Sequence, residues 1–133
     1  MTSREKVEAL RDLYEGWAVG DFSGGVSLFD EHVAFVVRPG FPTEVVLIGR
    51  ARLGHHMAEI LEAWEGLTVT AESFQEAGDT VLVGIRQVGV GAGSGVPAEM
   101  AFFHVWTFRA RKVIRLEVIL DHAEALEAAG LRE

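Results

Sequence analysis

The sequence predicts an α+β fold in which a curved, mostly antiparallel β-sheet wraps around helices. Three observations lead to this prediction. Apolar residues recur with helical spacing in the first half of the chain and at its end, they alternate along most of the chain after Leu67, and glycine-containing turns separate these strands. Strands joined by short turns pair antiparallel, and early helices followed by long strands are typical of this class.

Length and composition narrow the range of functions. The 133 residues fit one domain over residues 1–133, and the chain has no cysteine, which excludes disulfides, thiolate metal sites and a cysteine nucleophile. No apolar run approaches the ~20 residues that span a bilayer, and no secretory apolar region follows the N-terminus, so we expect a cytoplasmic protein without membrane contact. The net charge of −8 and the scattered basic residues disfavour nucleic acid as a partner.

The chain begins with helical patterns. An amphipathic helix is predicted from Arg4 to Val19, and Asp21 fits the N-cap of a second, short helix that ends near Phe29. The apolar stripe of the first helix consists of Val7, Leu10, Leu13, Tyr14 and Trp17.

Two short strands and a third helix follow. Strands are predicted at Val33–Val37 and Glu44–Ile48, with a loop between them at Pro39–Pro42. The third helix runs from Arg50 to Trp64, and Gly66 ends it. Its apolar arc consists of Leu53, Met57, Ile60, Leu61 and Trp64.

The second half of the chain predicts four long strands and a capped helix. The Gly91–Gly95 run lacks the Gly-Lys-Ser/Thr ending and the following helix of a phosphate loop, so we interpret it as a hairpin loop. Asp121 and Glu124 form a capping box for the last helix, and Gly130 suits its C′ position. The strands are Leu67–Ala77, Thr80–Val90, Ala98–Phe108 and Val113–Leu120.

Both faces of the Ala98–Phe108 strand are largely apolar. A sheet in a domain of this size normally has one solvated face, so the second apolar set predicts a two-fold dimer, unless the chain's own loops cover it. This outer set is Ala101, Phe103 and Val105, and the inner set is Met100, Phe102, His104, Trp106 and Phe108.

His104 is the main candidate for chemistry. An imidazole in a cavity transfers protons near neutral pH, whereas a buried histidine without an adjacent acid is more often a hydrogen-bonded core residue, and both interpretations stay open. The candidate carboxylate partners are Glu117, Asp121, Asp30 and Glu31. Asp121 is explained as a cap, and Glu117 faces outward as a member of an ion pair.

Other polar side chains are candidates for orienting a ligand. Tyr14 and Trp17 present a hydroxyl and an indole donor one helical turn apart, and Gln87 offers an amide if its strand lines the concave face. Simple packing explains Tyr14 and Trp17 equally well. Arg38 is placed either at a pocket mouth, where it attracts an anion, or at an exposed surface position.

The histidines do not form a metal site. His55 and His56 are neighbours that cannot share one helix face, and His32, His104 and His122 are far apart in the sequence. We therefore predict no metal and no cofactor.

The chain resembles the nuclear transport factor 2-like superfamily, in particular its SnoaL-like branch. The resemblance covers nearly the whole chain. Its motifs are Trp17-Ala18-Val19-Gly20-Asp21, Gly49, Gly78-Asp79, Gly91–Gly95, Phe102-Phe103-His104-Val105-Trp106 and Ala125-Leu126-Glu127-Ala128-Ala129-Gly130-Leu131.

The resemblance implies a cone-shaped, mostly antiparallel sheet around three helices, with a short C-terminal helix, a pocket inside the cone and frequent dimerisation through the outer face. It also implies isomerase, cyclase, epoxide hydrolase or dehydratase chemistry. Ketosteroid isomerase-like members have a carboxylate base where this chain has Val37-Arg38-Pro39, and the acid pair of the epoxide hydrolases has no match. His104 is the nearest match to the late-strand acid/base of the cyclases.

The sequence thus leads to a small-molecule pocket protein, interpreted as an isomerase, cyclase or lyase for a hydrophobic substrate. The alternative is a non-catalytic ligand-binding or dimerisation module. In the enzyme interpretation His104 moves protons, and Tyr14, Trp17 or Gln87 orients a carbonyl. The predicted pocket walls are Phe35, Met57, Trp64, Ile85, Met100, Phe102, Trp106 and Val118.

Overall fold

The computed structural model describes residues 2–41 and 45–131. The predicted loop residue Pro42 and strand residue Glu44 lie outside them. Within the described residues the chain forms three α-helices, one 3₁₀ turn and six β-strands. Their bounds are α1 Ser3–Trp17, the 3₁₀ turn Val26–Leu28, β1 Phe29–Val37, β2 Val45–Ile48, α2 Arg50–Ala63, β3 Trp64–Ala77, β4 Thr80–Gly91, β5 Pro97–Arg109, β6 Lys112–Ile119 and α3 His122–Ala128.

The strands form one open, curved sheet in the order β2-β1-β6-β5-β4-β3. All neighbouring strands are antiparallel except β1 and β6, which are parallel. Register shifts interrupt several of the pairs, including β3 with β4 between Ala71 and Ser73, and such bulges increase the local bend of a sheet. The predicted α+β fold with a mostly antiparallel curved sheet is confirmed.

The main core lies between the concave face of the sheet and α1. The helical stripe predicted from the sequence is the buried one, because Leu10, Tyr14 and Trp17 all pack against inner-face residues of the strands. Leu10 and Trp106 are completely buried. Helix α2 packs across the other end of the concave face, where Leu53 is buried.

The predicted second helix is wrong. Asp21 does not cap a helix, since its carboxylate accepts hydrogen bonds from the Ser23 amide and hydroxyl at 3.0 and 2.5 Å. Two successive glycines follow, and glycine is costly in a helix. Gly25 has φ +84°, and a Cβ there would lie 2.2 Å from a methyl carbon of Leu13, so the chain forms only a 3₁₀ turn before β1.

The end of α2 also differs from the prediction. Trp64 and Gly66 belong to β3, and Trp64 pairs with Gly91 of β4. The helical spacing of Trp64 is therefore overridden by strand pairing with a distant segment. Leu61, which the sequence places in the apolar arc, is 39% exposed.

A second core lies on the outer face of the sheet. Helix α3 packs there against β4, β5 and β6, and the buried cluster consists of Leu82, Val105, Ile119, Ala125, Leu126 and Ala129. Phe103 packs against the same cluster, and its ring stacks on His122 at 4.8 Å between centroids. Val105 is completely buried beneath α3, so this residue is not available to a second chain. Phe103 is half-buried and Ala101 is exposed, and a dimer through the outer face stays a prediction.

Arg38 and Glu117 also meet on the outer face. Arg38 donates to Oε1 of Glu117 from Nε at 3.0 Å and from Nη2 at 2.6 Å, and Arg115 donates to the same oxygen at 3.1 Å. Glu124 of α3 lies 3.5 Å from Arg38. The ion pair predicted for Glu117 is present, with Glu117 buried and Arg38 half-buried. Because Arg38 is engaged by Glu117 and Glu124 on the outer face, it does not lie at the mouth of a pocket on the concave face.

The ends of α3 follow the predicted pattern in part. The Asp121 carboxylate accepts a hydrogen bond from the Glu124 amide at 2.9 Å, and Gly130 has φ +78°. The Glu124 side chain contacts Arg38 rather than the helix cap.

Across the described residues, no helix has the length and apolarity needed to cross a membrane.

Docking of α3 on the sheet predicts a strong effect of Leu126→Ala. The change deletes a buried leucine from the second core, so we expect the free energy of unfolding to fall by about 2–5 kcal/mol. Urea denaturation followed by circular dichroism measures it. The matched control is Leu61→Ala on α2, where the same change at an exposed position should stay within about 0.5 kcal/mol. Equal effects of the two variants would contradict the packing of α3.

Candidate functional site

Three side chains form a buried hydrogen-bonded chain between α1 and β5. Nε1 of Trp106 donates to the hydroxyl of Tyr14 at 2.8 Å, and the same hydroxyl lies 2.7 Å from Nδ1 of His104. Tyr14 is on α1, whereas His104 and Trp106 are two residues apart on β5 and therefore share its concave face. The tyrosine hydroxyl thus joins helix and sheet at one point.

The surroundings of His104 are aromatic and uncharged. Its ring lies edge to face with Phe102 at 5.5 Å, Trp106 at 5.8 Å and Trp17 at 6.2 Å between centroids. Val83 and Val118 occupy the paired positions on the two neighbouring strands. Such a dry environment strengthens every hydrogen bond made inside it.

Burial determines the protonation states of this chain of side chains. It lowers the pKa of His104 from 6.5 to about 3, so the imidazole is neutral at physiological pH. It also raises the pKa of the Tyr14 hydroxyl well above its usual value, which keeps the phenol protonated. A general base works best with a pKa near the working pH, and His104 does not have one in this state.

One nitrogen of His104 is not used by this network. Within residues 2–41 and 45–131, Nε2 has no hydrogen-bond partner, yet this part of the chain contains no fully buried side-chain nitrogen or oxygen that lacks one. Nε2 is therefore not fully buried, and the residue as a whole is 6% exposed. Nε2 is therefore the edge of the imidazole that can meet another molecule.

Most of the predicted pocket residues lie together with His104 in the main core. They come from α1, α2 and four strands, and Met57 is half-buried at the border of the cluster. Aromatic side chains dominate the part next to the imidazole, which is typical of a site for an apolar ligand. The residues brought together are Tyr14, Trp17, Phe35, Met57, Ile85, Phe102, Trp106 and Val118.

Three predicted residues lie outside this core. Gln87 is half-buried and faces Met100 across the β4–β5 pair, and Met100 is 38% exposed. Trp64 is half-buried at the start of β3, near Leu67 and Gly89. The sequence did not anticipate that the Tyr14 hydroxyl contacts His104, although both side chains fall on the inward-facing patterns.

A surface cleft of about 480 Å³ lies elsewhere, between α1 and the segment before β1. None of the predicted pocket residues lines it. The residues around it are Ala9, Asp12, Leu13, Gly16, Asp21, Gly24, Gly25, Ser27, Leu28 and Arg111. Its wall is more polar and more exposed than the surroundings of His104, so it does not correspond to the predicted pocket.

In the described part of the chain, no three histidine or carboxylate side chains group as metal ligands would.

Known proteins are similar to this chain over most of its length. The SnoaL-like domain family matches residues 10–116. A nuclear transport factor 2-like protein of unknown function from Burkholderia pseudomallei superposes with a TM-score of 0.76 and 18% identity, over 97% of this chain and 98% of that chain. None of the curated proteins matches the chain.

Two further solved structures are similar. A protein from Jannaschia sp. that is provisionally assigned as a SnoaL-like polyketide cyclase has a TM-score of 0.74 and 19% identity. The match covers 98% of this chain and 94% of that chain. TerC, co-crystallised with polyporic acid, has a TM-score of 0.73 and 26% identity over 92% of this chain and 95% of that chain.

The shared hydroxyl predicts that Tyr14→Phe destabilises the protein. Removing one oxygen leaves both Nδ1 of His104 and the indole N–H of Trp106 without a buried partner, and each such group costs about 1–3 kcal/mol. We expect the free energy of unfolding to fall by about 2–6 kcal/mol in urea denaturation. His104→Gln keeps an acceptor for the hydroxyl and should lose less. A Tyr14→Phe variant as stable as the wild type would contradict the network.

The lowered pKa of His104 predicts a specific dependence of stability on pH. His104 binds a proton near pH 6.5 in the unfolded chain but only near pH 3 in the folded chain. Its contribution to the free energy of unfolding is therefore fully present above pH 6.5 and is lost progressively as the pH falls below this value. The slope from this group reaches about 1.4 kcal/mol per pH unit. Urea denaturation between pH 5 and 7.5 should show it in the wild type and not in His104→Gln. Parallel curves for the two proteins would show that His104 titrates normally.

Proposed function

Because the chain belongs to the SnoaL-like family of the nuclear transport factor 2-like superfamily, we propose that it binds a hydrophobic small molecule beneath the curved sheet. We further propose that it transforms this molecule by isomerase, cyclase or lyase chemistry. The same scaffold hosts many reactions, so the argument depends on the side chains at the site and not on the fold.

The observation that carries the proposal is the buried imidazole of His104. Polar side chains in a core are costly unless they are hydrogen-bonded, and an apolar residue of similar volume would fill this position at no such cost. Here one nitrogen is held by Tyr14 and the other has no partner in the described residues. A polar edge among aromatic rings is the arrangement that orients an apolar ligand in a pocket.

The residues divide into two roles. The apolar side chains next to His104, among them Phe35, Phe102 and Val118, supply the walls. Tyr14 does not reach the ligand in this arrangement, since its hydroxyl is engaged by His104 and Trp106, and it acts through His104. Similar structures support a small-molecule role, because one of them is provisionally assigned as a polyketide cyclase and another, TerC, was co-crystallised with polyporic acid.

Ligand binding without turnover is a second candidate function, and one observation favours it. His104 has a pKa of about 3 and one engaged nitrogen, so it does not collect a proton at neutral pH. The isomerase, cyclase and lyase reactions proposed here are those that begin with removal of a proton next to a carbonyl group. Exchange of the α-protons of 2-tetralone in D₂O, followed by NMR, separates the two candidates, because only an enzyme accelerates it above the rate with His104→Leu.

Binding is tested with two hydrophobic probes, polyporic acid and Nile red, titrated by fluorescence. We expect saturable binding to the wild type and about five- to tenfold weakening in His104→Leu, since a lost hydrogen bond in a site screened from water is worth about 1–1.5 kcal/mol. His55→Leu makes the same change at an exposed position of α2 and should bind like the wild type.

Two results would count against this proposal. The first is the absence of saturable binding for both probes. The second is equal affinity in His104→Leu and His55→Leu, with circular dichroism showing that both variants are folded. The second result would place any binding site away from His104.

A further inference from the structure

We propose that the hydrogen bonds run in one direction, from Trp106 to Tyr14 to His104, and that they hold the imidazole proton on Nε2. The site then recognises a neutral ligand through a hydrogen-bond acceptor, such as the carbonyl oxygen of a ketone, quinone or ester. This inference deepens the proposed function and, in its ligand part, rests on it.

The direction begins at Trp106. An indole nitrogen has one proton and no lone pair available for accepting, so the 2.8 Å contact is a donation from Nε1 to the oxygen of Tyr14. Trp106 is completely buried and cannot turn to another partner without opening the core. The tyrosine oxygen therefore accepts at this contact.

Tyr14 determines the direction of the second hydrogen bond, the one to His104. Its hydroxyl has a single proton, and within the described residues its hydrogen-bond neighbours are Trp106 and His104 alone. Trp106 cannot accept this proton, so it goes to Nδ1 of His104 at 2.7 Å. Nδ1 must then carry a lone pair, which places the imidazole proton on Nε2.

Neutrality of the ring agrees with this assignment. A doubly protonated imidazole would direct an N–H at the hydroxyl proton of Tyr14, and burial among aromatic rings disfavours the charged form as well. His104 thus presents one N–H from Nε2, the nitrogen that has no partner in the described part of the chain.

The donor at Nε2 sets the class of ligand. An N–H requires an acceptor, so a carbonyl fits, whereas a hydrocarbon leaves the N–H unpaired. No charged side chain is among the rings and valines that surround His104, so a carboxylate or an ammonium group would be desolvated there without a counter-charge. The ligand is therefore neutral at this point.

The assignment also changes the role of the histidine in any reaction. A neutral donor aimed at a carbonyl oxygen stabilises negative charge that develops there in the transition state, and it takes up no proton itself. Tyr14 is a positioning residue in this scheme, since it contacts His104 and not the ligand.

NMR of the ligand-free protein tests the position of the proton. Long-range proton–nitrogen correlation spectra of ¹⁵N-labelled wild type at pH 7 should show His104 with a protonated Nε2 and an unprotonated Nδ1. The pattern should not change down to pH 5. A protonated Nδ1, or a positively charged ring at pH 7, would overturn the assignment.

A matched pair of ligands tests the acceptor. 9-Fluorenone and fluorene have nearly the same shape and differ in the carbonyl oxygen, so we expect fluorenone to bind about tenfold more tightly to the wild type. His104→Leu should remove the difference, and His104→Gln, whose amide can accept from Tyr14 and donate to the ligand, should restore part of it.

The outcomes separate this inference from the proposed function. Equal affinity for the two compounds in the wild type would overturn the acceptor specificity while leaving a hydrophobic pocket in place. If neither compound binds, the proposed function and the acceptor specificity fail together, whereas the NMR spectrum decides the position of the proton by itself.

Discussion

The hydroxyl of Tyr14 is the single contact on which the arrangement of the main core depends. It satisfies the buried nitrogens of two side chains on β5 from a helix 90 residues earlier in the sequence, at a point where no water is needed to complete the hydrogen bonds. Apolar packing alone would hold α1 against the sheet in several similar positions, because it has no direction. Two short hydrogen bonds select one of them, and they do so next to the candidate site.

The sheet is covered on both faces, but by different means. Helices α1 and α2 cover the concave face with large aromatic and aliphatic side chains, whereas α3 covers part of the outer face with leucine and alanine. The half-buried Arg38–Glu117 pair lies beside α3 and connects it to the end of β1 through Glu124. The concave face contains the candidate site, while the outer core contributes stability.

Periodicity predicted most of the fold and part of the candidate site. The stripe of α1 and the inner face of β5 were readable because side chains follow periods of 3.6 and 2, so Tyr14 and His104 were both assigned to the interior. The hydrogen bond between them could not be predicted from the sequence, since it depends on how α1 crosses the sheet. The apolar outer residues Phe103 and Val105 were predicted to be covered, but alternation alone does not distinguish a helix of the same chain from a second chain.

The remaining differences have local causes. Trp64 fits a helical period and a strand equally well, and its pairing with Gly91 is set by the β4 hairpin that follows. Arg38 meets Glu117 because β1 and β6 are parallel neighbours 79 residues apart, which no short-range pattern indicates. The double glycine at 24 and 25 was the available signal against a helix there, and the conformation of Gly25 shows why.

The parallel pairing of β1 with β6 also constrains how the chain acquires its structure. In the sheet order β2-β1-β6-β5-β4-β3, the hairpin of β1 and β2 attaches only through β6, so its connection to the rest waits until residues 112–119 have left the ribosome. Contacts between such distant segments raise the contact order, and a domain dominated by them folds slowly. During synthesis the apolar β1 and β2 remain without their sheet neighbour, and unpaired apolar strand edges of this kind are prone to aggregation.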